Sequence, residues 1–201
     1  MSEITLITGG CRSGKSRYAQ FLSEGVGEKR LFIATAPVQD DEMRRRVAGH
    51  RKHRGPSWET REEPYDVAGC LRGIDRTGRS DERSEDPSHQ ETAYDVVLCD
   101  CLTLWVNNLL YTASQNGVSL EEEEMAARTA DLCAAARAFP SPVFFVTNEV
   151  GQGIVPADEL SRRFRDLAGR CNQEMAAMAD SVILMVSGLP LSLKGAKHEN
   201  P

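Results

Sequence analysis

The stretch ITLITGGCRSGKS, residues 4–16, decides the fold predicted for this chain. Its first part, residues 4–8, is a short apolar run that ends at two glycines, as buried parallel strands often do. Residues 9–16 match the pattern G-x-x-x-x-G-K-[ST], and a helix is predicted over residues 16–22. A strand, this loop and a helix in that order are the setting in which the pattern binds phosphates. The stretch therefore predicts a phosphate-binding loop, or P-loop.

The residue types of the loop fit that chemistry. Phosphates need inward-facing backbone N–H groups, so the chain must curl tightly at Gly9 and Gly14. The helix N-terminus adds positive potential, Lys15 would reach the β- and γ-phosphates, and the Ser16 hydroxyl would bind Mg²⁺. A plain glycine turn at a helix start is the less favoured alternative. The predicted phosphate contacts are Gly9, Gly10, Cys11, Arg12, Ser13, Gly14, Lys15 and Ser16.

Apolar runs and helical patterns alternate along the rest of the chain. Further strands are predicted at residues 31–36, 95–100, 142–149 and 181–188, and residues 57–62 form either a short strand or an extended link. Helices between them predict an α/β fold with a mainly parallel sheet covered on both faces. One domain is expected over residues 1–201, with a flexible polar insertion at residues 73–92 because that stretch has few large apolar groups to bury.

Composition narrows the function classes. The 201 residues carry a formal net charge of -6, and a groove for duplex nucleic acid usually needs a basic excess, so no nucleic-acid partner is expected. No run of 18 apolar residues occurs and the N-terminus lacks a secretory pattern, so neither a membrane span nor export is expected. The six cysteines lack zinc-site spacing and are simplest as reduced thiols. A cytoplasmic enzyme is the prediction.

Three further segments offer polar groups. Asp100 ends a predicted strand, where it would either help to bind a metal or cap the next helix. His50 lies in the basic cluster GHRKHR, where spacing alone favours a solvated helix end over a nucleophile that attacks an α-phosphorus. Residues 148–156 either line a ligand crevice or simply connect a strand to a helix. The arginines of the helix that follows lie near its start, where cations oppose the dipole, so one is expected to face an anion. They are Arg162, Arg163 and Arg165.

An ordered set of motifs identifies a family. GGCRSGKS, IATA, DDEMRRRVAGHRKHRGPSWET, CDCLTLWVNNLL, VTNEVGQGIVP and RRFRDLAGRCNQ follow one another, and the resemblance fails only at residues 73–92 and the last few residues. The chain resembles the bifunctional adenosylcobinamide kinase / adenosylcobinamide-phosphate guanylyltransferases of cobalamin biosynthesis. The resemblance implies a RecA-like P-loop NTPase fold and a homo-oligomer, a trimer. It also implies two reactions: phosphorylation of adenosylcobinamide by a nucleoside triphosphate, ATP or GTP, and transfer of GMP from GTP to adenosylcobinamide phosphate.

The resemblance also assigns residues. It makes His50 the nucleophile of a GMP-histidine intermediate, with His53 a less favoured second choice, and Gly49 stands where some members have another histidine. The P-loop chemistry keeps Lys15 catalytic and makes Ser16 and Asp100 the expected Mg²⁺ ligands. The resemblance adds nucleotide contacts beyond the P-loop at Ala34, Thr35, Ala36, Arg51, Lys52, His53, Arg54, Glu62 and Asp100. The remaining alternatives are a P-loop kinase of another small metabolite, without guanylyl transfer, and a RecA-like ATPase that acts on a macromolecule.

Overall fold

The computed structural model of the chain describes residues 2–37, 57–74 and 94–195. Within these residues the strands and helices alternate as the sequence predicts. In chain order they are β1 (Ile4–Gly9), α1 (Lys15–Glu24), β2 (Arg30–Ala34), β3 (Trp58–Glu62), α2 (Val67–Gly73), β4 (Val96–Asp100), α3 (Leu102–Gln115), α4 (Glu122–Ala138), β5 (Val143–Val146), α5 (Glu159–Met178), β6 (Ser181–Val186) and β7 (Leu189–Lys194).

The strands form one sheet in the order β3-β2-β4-β5-β1-β6-β7. Every pairing is parallel except that of β6 with β7. β1 lies between β5 and β6 and is buried along its whole length, which explains why its sequence is a continuous apolar run rather than an alternating one. The predicted mainly parallel α/β sheet is confirmed.

Helices cover both faces of this sheet. On one face, Tyr18 and Ala19 of α1 pack in an apolar cluster with Ile7 and Phe32. On the other face, α2, α3, α4 and α5 share the larger cluster, to which they contribute Leu71, Trp105, Leu132 and Met175. Because the parallel strands carry apolar side chains on both faces, helices on both sides are needed to shield the sheet from water.

The edges of the sheet differ from the sequence interpretation. Residues 57–62 do contain a strand, β3, which pairs with β2. The chain after residue 188, for which the sequence predicts no strand, instead forms β7, an antiparallel edge strand. Ser187 and Gly188 join β6 to β7 with φ values of 52° and 86°, the geometry of a tight hairpin turn in which both central residues have positive φ.

Two sequence predictions fall wholly or partly outside the described residues. The charged segment at residues 40–54, which contains the GHRKHR cluster and is expected to be helical, lies wholly outside them. Of the predicted insertion at residues 73–92, Gly73 is the last residue of α2 and Ile74 is buried, while the remainder lies outside. Within residues 2–37, 57–74 and 94–195, no helix is both long and apolar enough to cross a membrane.

Candidate active site

The P-loop begins where β1 ends, at the carboxyl edge of the sheet. Gly9 has φ 148° and Gly14 has φ 97°, conformations that side-chain-bearing residues rarely adopt. A Cβ on Gly9 would lie 2.5 Å from the carbonyl oxygen of Met185 and 2.9 Å from the Ser13 Oγ. The glycine at position 9 is therefore required both by the backbone conformation and by the strand packed beside it.

Lys15 is the first residue of α1 and is only 7% exposed. Its Nζ donates a 2.6 Å hydrogen bond to the Gly10 carbonyl oxygen inside the loop. Burial lowers the pKa of this amine, and the nearby Asp100 carboxylate is the largest influence in the opposite direction. Phosphate charge placed at the loop would likewise favour the protonated amine, so the site is built to gain from an anion.

Ser13 adds an unsatisfied group to the loop. It is 8% exposed, and its buried Oγ has no hydrogen-bond partner among the residues that the structure describes. Buried hydroxyls without a partner are uncommon in native proteins, because each costs the free energy of a lost hydrogen bond with water. An acceptor oxygen or bridging water on a bound ligand would supply the missing partner.

Among the described residues, the P-loop borders a larger and a smaller cleft. The larger, about 500 Å³, is lined by residues 12–17 together with Ser187 and Gly188 of the β6–β7 turn. The smaller, about 310 Å³, is lined by residues 10–13, by Glu149 and Gln152, and by residues 184–187. Both are within the size range of small-molecule sites, and both have P-loop residues as a wall.

Asp100 ends β4 at the same edge of the sheet. It is half-buried, and the N-cap of α3 is the next residue, Cys101, which makes no side-chain cap hydrogen bond. The helix-capping alternative for Asp100 is therefore wrong. Burial, with the adjacent Asp100 charge as the second cause, raises the pKa of the Cys101 thiol to about 12, so this thiol stays protonated beside the carboxylate.

Thr35 fixes the end of β2 against the end of β4. Its Oγ1 donates to the Cys101 carbonyl oxygen at 2.7 Å and accepts from the Cys101 N–H at 2.8 Å. Asn108, on α3 and 5% exposed, donates from Nδ2 to the carbonyl oxygens of Thr35 at 2.8 Å and Pro64 at 3.0 Å. The Thr35 side chain is fully buried, and its hydrogen bonds hold the chain after β2 against the chain after β4. The sequence motif IATA identified the position but not this role, which belongs to packing across the sheet.

A second hydrogen-bond chain supports the loop after β5. The Glu149 Oε1 accepts from the Thr8 Oγ1 at 2.7 Å, and the Glu149 N–H donates to the Gly9 carbonyl oxygen at 3.1 Å. Asn172 of α5 accepts from the Thr147 Oγ1 at 2.7 Å and donates to the Asn148 carbonyl oxygen at 3.0 Å. Glu149 thus contacts the P-loop strand directly. Asn172 was missed, because its helical sequence pattern marks it only as a polar position among apolar ones.

The donor set for a divalent cation is a hydroxyl and a carboxylate. Ser16 is half-buried in the first turn of α1, and Asp100 is close enough to Lys15 to affect its pKa. Within the described residues no cluster of three or more His, Cys, Asp or Glu side chains could hold a metal. Mg²⁺ fits such a site, because it is commonly bound by one or two protein oxygens, substrate phosphates and water.

Not every predicted residue is near the loop. Glu62 ends β3 and is exposed, four strand positions from β1 in the sheet order, which is about 19 Å at the usual strand spacing of about 4.8 Å. Ala34 and Ala36 flank Thr35 at the end of β2. This strand is three positions from β1 in the sheet, with β4 and β5 in between. His50, Arg51, Lys52, His53 and Arg54 lie outside the described residues.

The three arginines near the start of α5 are engaged with other groups of the chain itself. Arg162 donates to the carbonyl oxygens of Pro156 and Ala157. Arg163 pairs with Glu121 at 3.2 Å, and Arg165 pairs with Asp166 at 2.9 Å. The expectation that one of them faces an anion holds, but the anions are internal carboxylates.

Comparison with known families decides the assignment. The sequence model of the cobinamide kinase / cobinamide phosphate guanyltransferase family, CobU, matches residues 5–193. The chain belongs to this family. The match spans the P-loop, the Asp100 strand and the β6–β7 hairpin, so the predicted family and the predicted class of enzyme, a transferase of cobalamin biosynthesis, are confirmed.

Curated relatives agree with the CobU assignment. The bifunctional adenosylcobalamin biosynthesis protein CobU of Salmonella typhimurium (strain LT2) is 40% identical over 195 residues, which cover 94% of this chain and 98% of the relative. The bifunctional adenosylcobalamin biosynthesis protein CobP of Pseudomonas aeruginosa (strain PAO1) is 40% identical over 190 residues, covering 94% and 96%. Because nearly the full length of each relative is matched, the similarity is not confined to the P-loop.

Solved structures give weaker likenesses. The flagellar accessory protein FlaH of Methanocaldococcus jannaschii has a TM-score of 0.49 at 10% identity, covering 98% of this chain and 82% of that protein. The RadB recombinase has a TM-score of 0.46 at 15% identity, covering 90% and 73%. Neither likeness bears on the function of this CobU-family chain.

Proposed function

We propose that this enzyme phosphorylates adenosylcobinamide with a nucleoside triphosphate and then transfers GMP from GTP to adenosylcobinamide phosphate. The second reaction passes through a GMP-histidine intermediate on His50 and yields adenosylcobinamide-GDP and pyrophosphate. The observation that carries the proposal is the P-loop: Lys15 is buried at the start of α1 with its amine bonded to the Gly10 carbonyl oxygen, in a chain that matches CobU over residues 5–193.

In the kinase reaction, the P-loop holds the triphosphate. The acceptor hydroxyl oxygen attacks the γ-phosphorus, a new O–P bond forms, and the bond from the γ-phosphorus to the bridging oxygen breaks. The nucleoside diphosphate leaves with that electron pair, and the hydroxyl proton is released. Lys15 and the backbone N–H groups of the loop stabilise charge on the phosphate oxygens, as in other phosphoryl-transfer sites. The loop contacts are Gly9, Gly10, Cys11, Arg12, Ser13, Gly14, Lys15 and Ser16.

In the guanylyl transfer, a neutral imidazole nitrogen of His50 attacks the α-phosphorus of GTP. The N–P bond forms as the bond to pyrophosphate breaks, and pyrophosphate leaves with the electron pair. A phosphate oxygen of adenosylcobinamide phosphate then attacks the same phosphorus and displaces the histidine. The further contacts proposed for GTP are Ala34, Thr35, Ala36, Arg51, Lys52, His53, Arg54, Glu62 and Asp100.

Mg²⁺ is the cofactor proposed for the nucleotide. Ser16 and Asp100 would hold it, and when bound it neutralises charge on the phosphate oxygens. The proposal is supported by the oxygen donors of the two side chains and by the electrostatic influence of Asp100 on Lys15.

Incubation with GTP labelled at the α-phosphate tests the proposal. Label is expected on the protein, stable to base and labile to acid, and on the peptide that contains His50. His50→Ala should remove the label, while the matched variant His53→Ala should keep it. A chain that phosphorylates adenosylcobinamide but never takes the label would be a kinase without guanylyl transfer. Label that persists in His50→Ala would refute the assignment of the nucleophile.

A homo-oligomer, expected to be a trimer, is part of the same proposal. It is supported by edge strand β7, where alternate residues Leu189, Leu191 and Leu193 are 54–60% exposed and therefore share one face of the strand. Light scattering after size-exclusion chromatography should give the mass of three chains, and Leu191→Lys should reduce it. A monomer at all concentrations would contradict this part.

A further inference from the structure

The larger of the two clefts, hereafter the hairpin cleft, has two unlike walls. One wall is the P-loop and the first turn of α1, including Lys15 and Ser16. The other is the β6–β7 turn, Ser187 and Gly188. The Arg17 side chain of the first wall approaches this turn, because its Nη2 lies 3.9 Å from where a Cβ on Gly188 would be. The residues proposed to hold phosphates therefore open directly into a space of about 500 Å³ that phosphates on the loop would not fill.

The second wall is fixed to the first. The Gly188 N–H donates a 2.9 Å hydrogen bond to the Ser13 carbonyl oxygen. A Cβ on Gly14 would lie 3.3 Å from the Gly188 Cα, so the turn and the P-loop are in close contact. β6 is also the direct neighbour of β1, with Met185 paired to Gly9. The hairpin cleft is thus formed by rigid elements and does not depend on a mobile segment.

The polar groups of the hairpin cleft are available to a ligand. Arg12 and Arg17 are exposed and make no hydrogen bond or ion pair with any other residue of the described ranges. The buried Ser13 Oγ on the same wall has no hydrogen-bond partner within residues 2–37, 57–74 and 94–195. By contrast, each arginine of α5 considered above is engaged with a carboxylate or carbonyl of the chain. A guanidinium plane can stack on an aromatic base, and hydroxyls such as that of Ser187 can bind a ribose.

The direction of the hairpin cleft sets it apart from the GTP contacts proposed above. Seen from β1, the ends of β2 and β3 lie three and four strand positions away on one side, or about 14 and 19 Å at the usual spacing. The β6–β7 turn lies on the other side, beside the adjacent strand. One nucleoside attached to phosphates on the P-loop cannot contact both Glu62 and Ser187.

We propose that the hairpin cleft binds the nucleoside of the phosphate donor in the kinase reaction, with Arg17 against the base and Ser187 at the ribose. The enzyme then has two nucleoside subsites on opposite sides of one P-loop, the other serving the GTP that gives GMP. After the γ-phosphoryl group has passed to the acceptor hydroxyl as described above, the nucleoside diphosphate leaves from the hairpin cleft. This inference rests on the proposed function, because it takes the P-loop to be the triphosphate site.

A pair of ligands isolates the nucleoside contribution. ATP would occupy both the P-loop and the hairpin cleft, whereas inorganic triphosphate would occupy the P-loop alone. In Ser187→Trp, whose indole would fill the cleft, the dissociation constant for ATP should rise at least about tenfold, a loss of about 1.4 kcal/mol, and that for inorganic triphosphate should change by less than about twofold. Val118→Trp, which introduces the same side chain at a 61% exposed position between α3 and α4, is the matched control and should alter neither constant.

Photolabelling of the unaltered protein keeps the inference testable if Ser187→Trp fails to fold. With 8-azido-ATP and an excess of inorganic triphosphate as the competitor, label should map to the peptide containing residues 184–194 and disappear on competition. Label on residues 30–37 or 57–62 instead, or an ATP affinity unchanged in folded Ser187→Trp, would overturn the hairpin subsite and leave the proposed function standing. If the unaltered protein binds neither ATP nor inorganic triphosphate, the proposed function fails and the inference fails with it.

Discussion

Gly9→Ala tests whether the P-loop is held in the conformation described. An alanine at this position must either keep φ near 148° or move the backbone. Keeping φ costs about 1–3 kcal/mol, the usual range for a residue forced into a sparsely populated region. The new Cβ would also lie 2.5 Å from the Met185 carbonyl oxygen, a backbone atom of the neighbouring strand that cannot rotate away.

The second cost resembles overpacking of a core, about 1–3 kcal/mol. Together the two predict a loss of about 2–6 kcal/mol in the free energy of unfolding, a large share of the 5–15 kcal/mol typical of a folded protein. For a chain of this length, a loss of about 3 kcal/mol corresponds to a fall of about 6–12 °C in Tm. Alternative backbone movement would take the N–H groups of the loop away from the phosphates, so nucleotide affinity should fall as well.

Urea unfolding followed by circular dichroism measures the effect, and Gly10→Ala is the matched control. A Cβ at Gly10 meets no atom within 4 Å, so this variant should change the free energy of unfolding by no more than about 0.5 kcal/mol. If Gly9→Ala and Gly10→Ala unfold at the same urea concentration with the same slope, the close contact of Gly9 with β6 is not as described.

Three further predictions concern the surroundings of the site. Asn108→Ala should lower the free energy of unfolding by about 1–3 kcal/mol, because the carbonyl oxygens of Thr35 and Pro64 lose their buried donor. Chemical denaturation measures this loss. An unchanged midpoint would contradict the role of these hydrogen bonds at the end of β2. The pKa of Asp180 is lowered by hydrogen bonding to Arg137, so its stabilising effect is present above the ordinary pKa of 3.8 and is lost as the pH falls through the lower folded value. Asp180→Asn should therefore be less stable than the parent chain at pH 7 and as stable as the parent chain in strong acid. A difference in stability that persists or grows in acid would contradict this sign. Mass-spectrometric mapping of alkylation at pH 8 should find the exposed Cys11 modified first and protected by bound nucleotide. Burial raises the pKa of four other thiols and slows their alkylation: Cys99, Cys101, Cys133 and Cys171. Early alkylation of any of these four would argue against the packing described.

Local signals in the sequence predicted the elements that depend on local chemistry. The P-loop strand and α1 follow from an apolar run, two glycines with positive φ and a helix start, all within residues 4–24. The parallel sheet follows from repeated apolar runs too short for helices. Strand β7 was missed because its alternating leucines are more exposed than buried, so its pattern lacks the apolar continuity of the other strands.

Contacts between residues that are far apart in the chain could not be predicted from the sequence. Thr35 and Cys101 are 66 residues apart, and their mutual hydrogen bonds exist only because β2 and β4 are neighbours in the sheet. The contact of Glu149 with Thr8 likewise depends on β5 lying beside β1. Identifying Cys101 rather than Asp100 as the N-cap residue of α3 also needed the backbone, since an aspartate before a helix often caps it.

A crystal structure with a non-hydrolysable ATP analogue and Mg²⁺ tests the central claim most directly. The triphosphate should lie in the curl of residues 9–16, with the Lys15 Nζ moved from the Gly10 carbonyl oxygen to the β- and γ-phosphate oxygens. An analogue bound elsewhere, with Lys15 still donating to Gly10 and the loop empty at saturating concentration, would contradict the account.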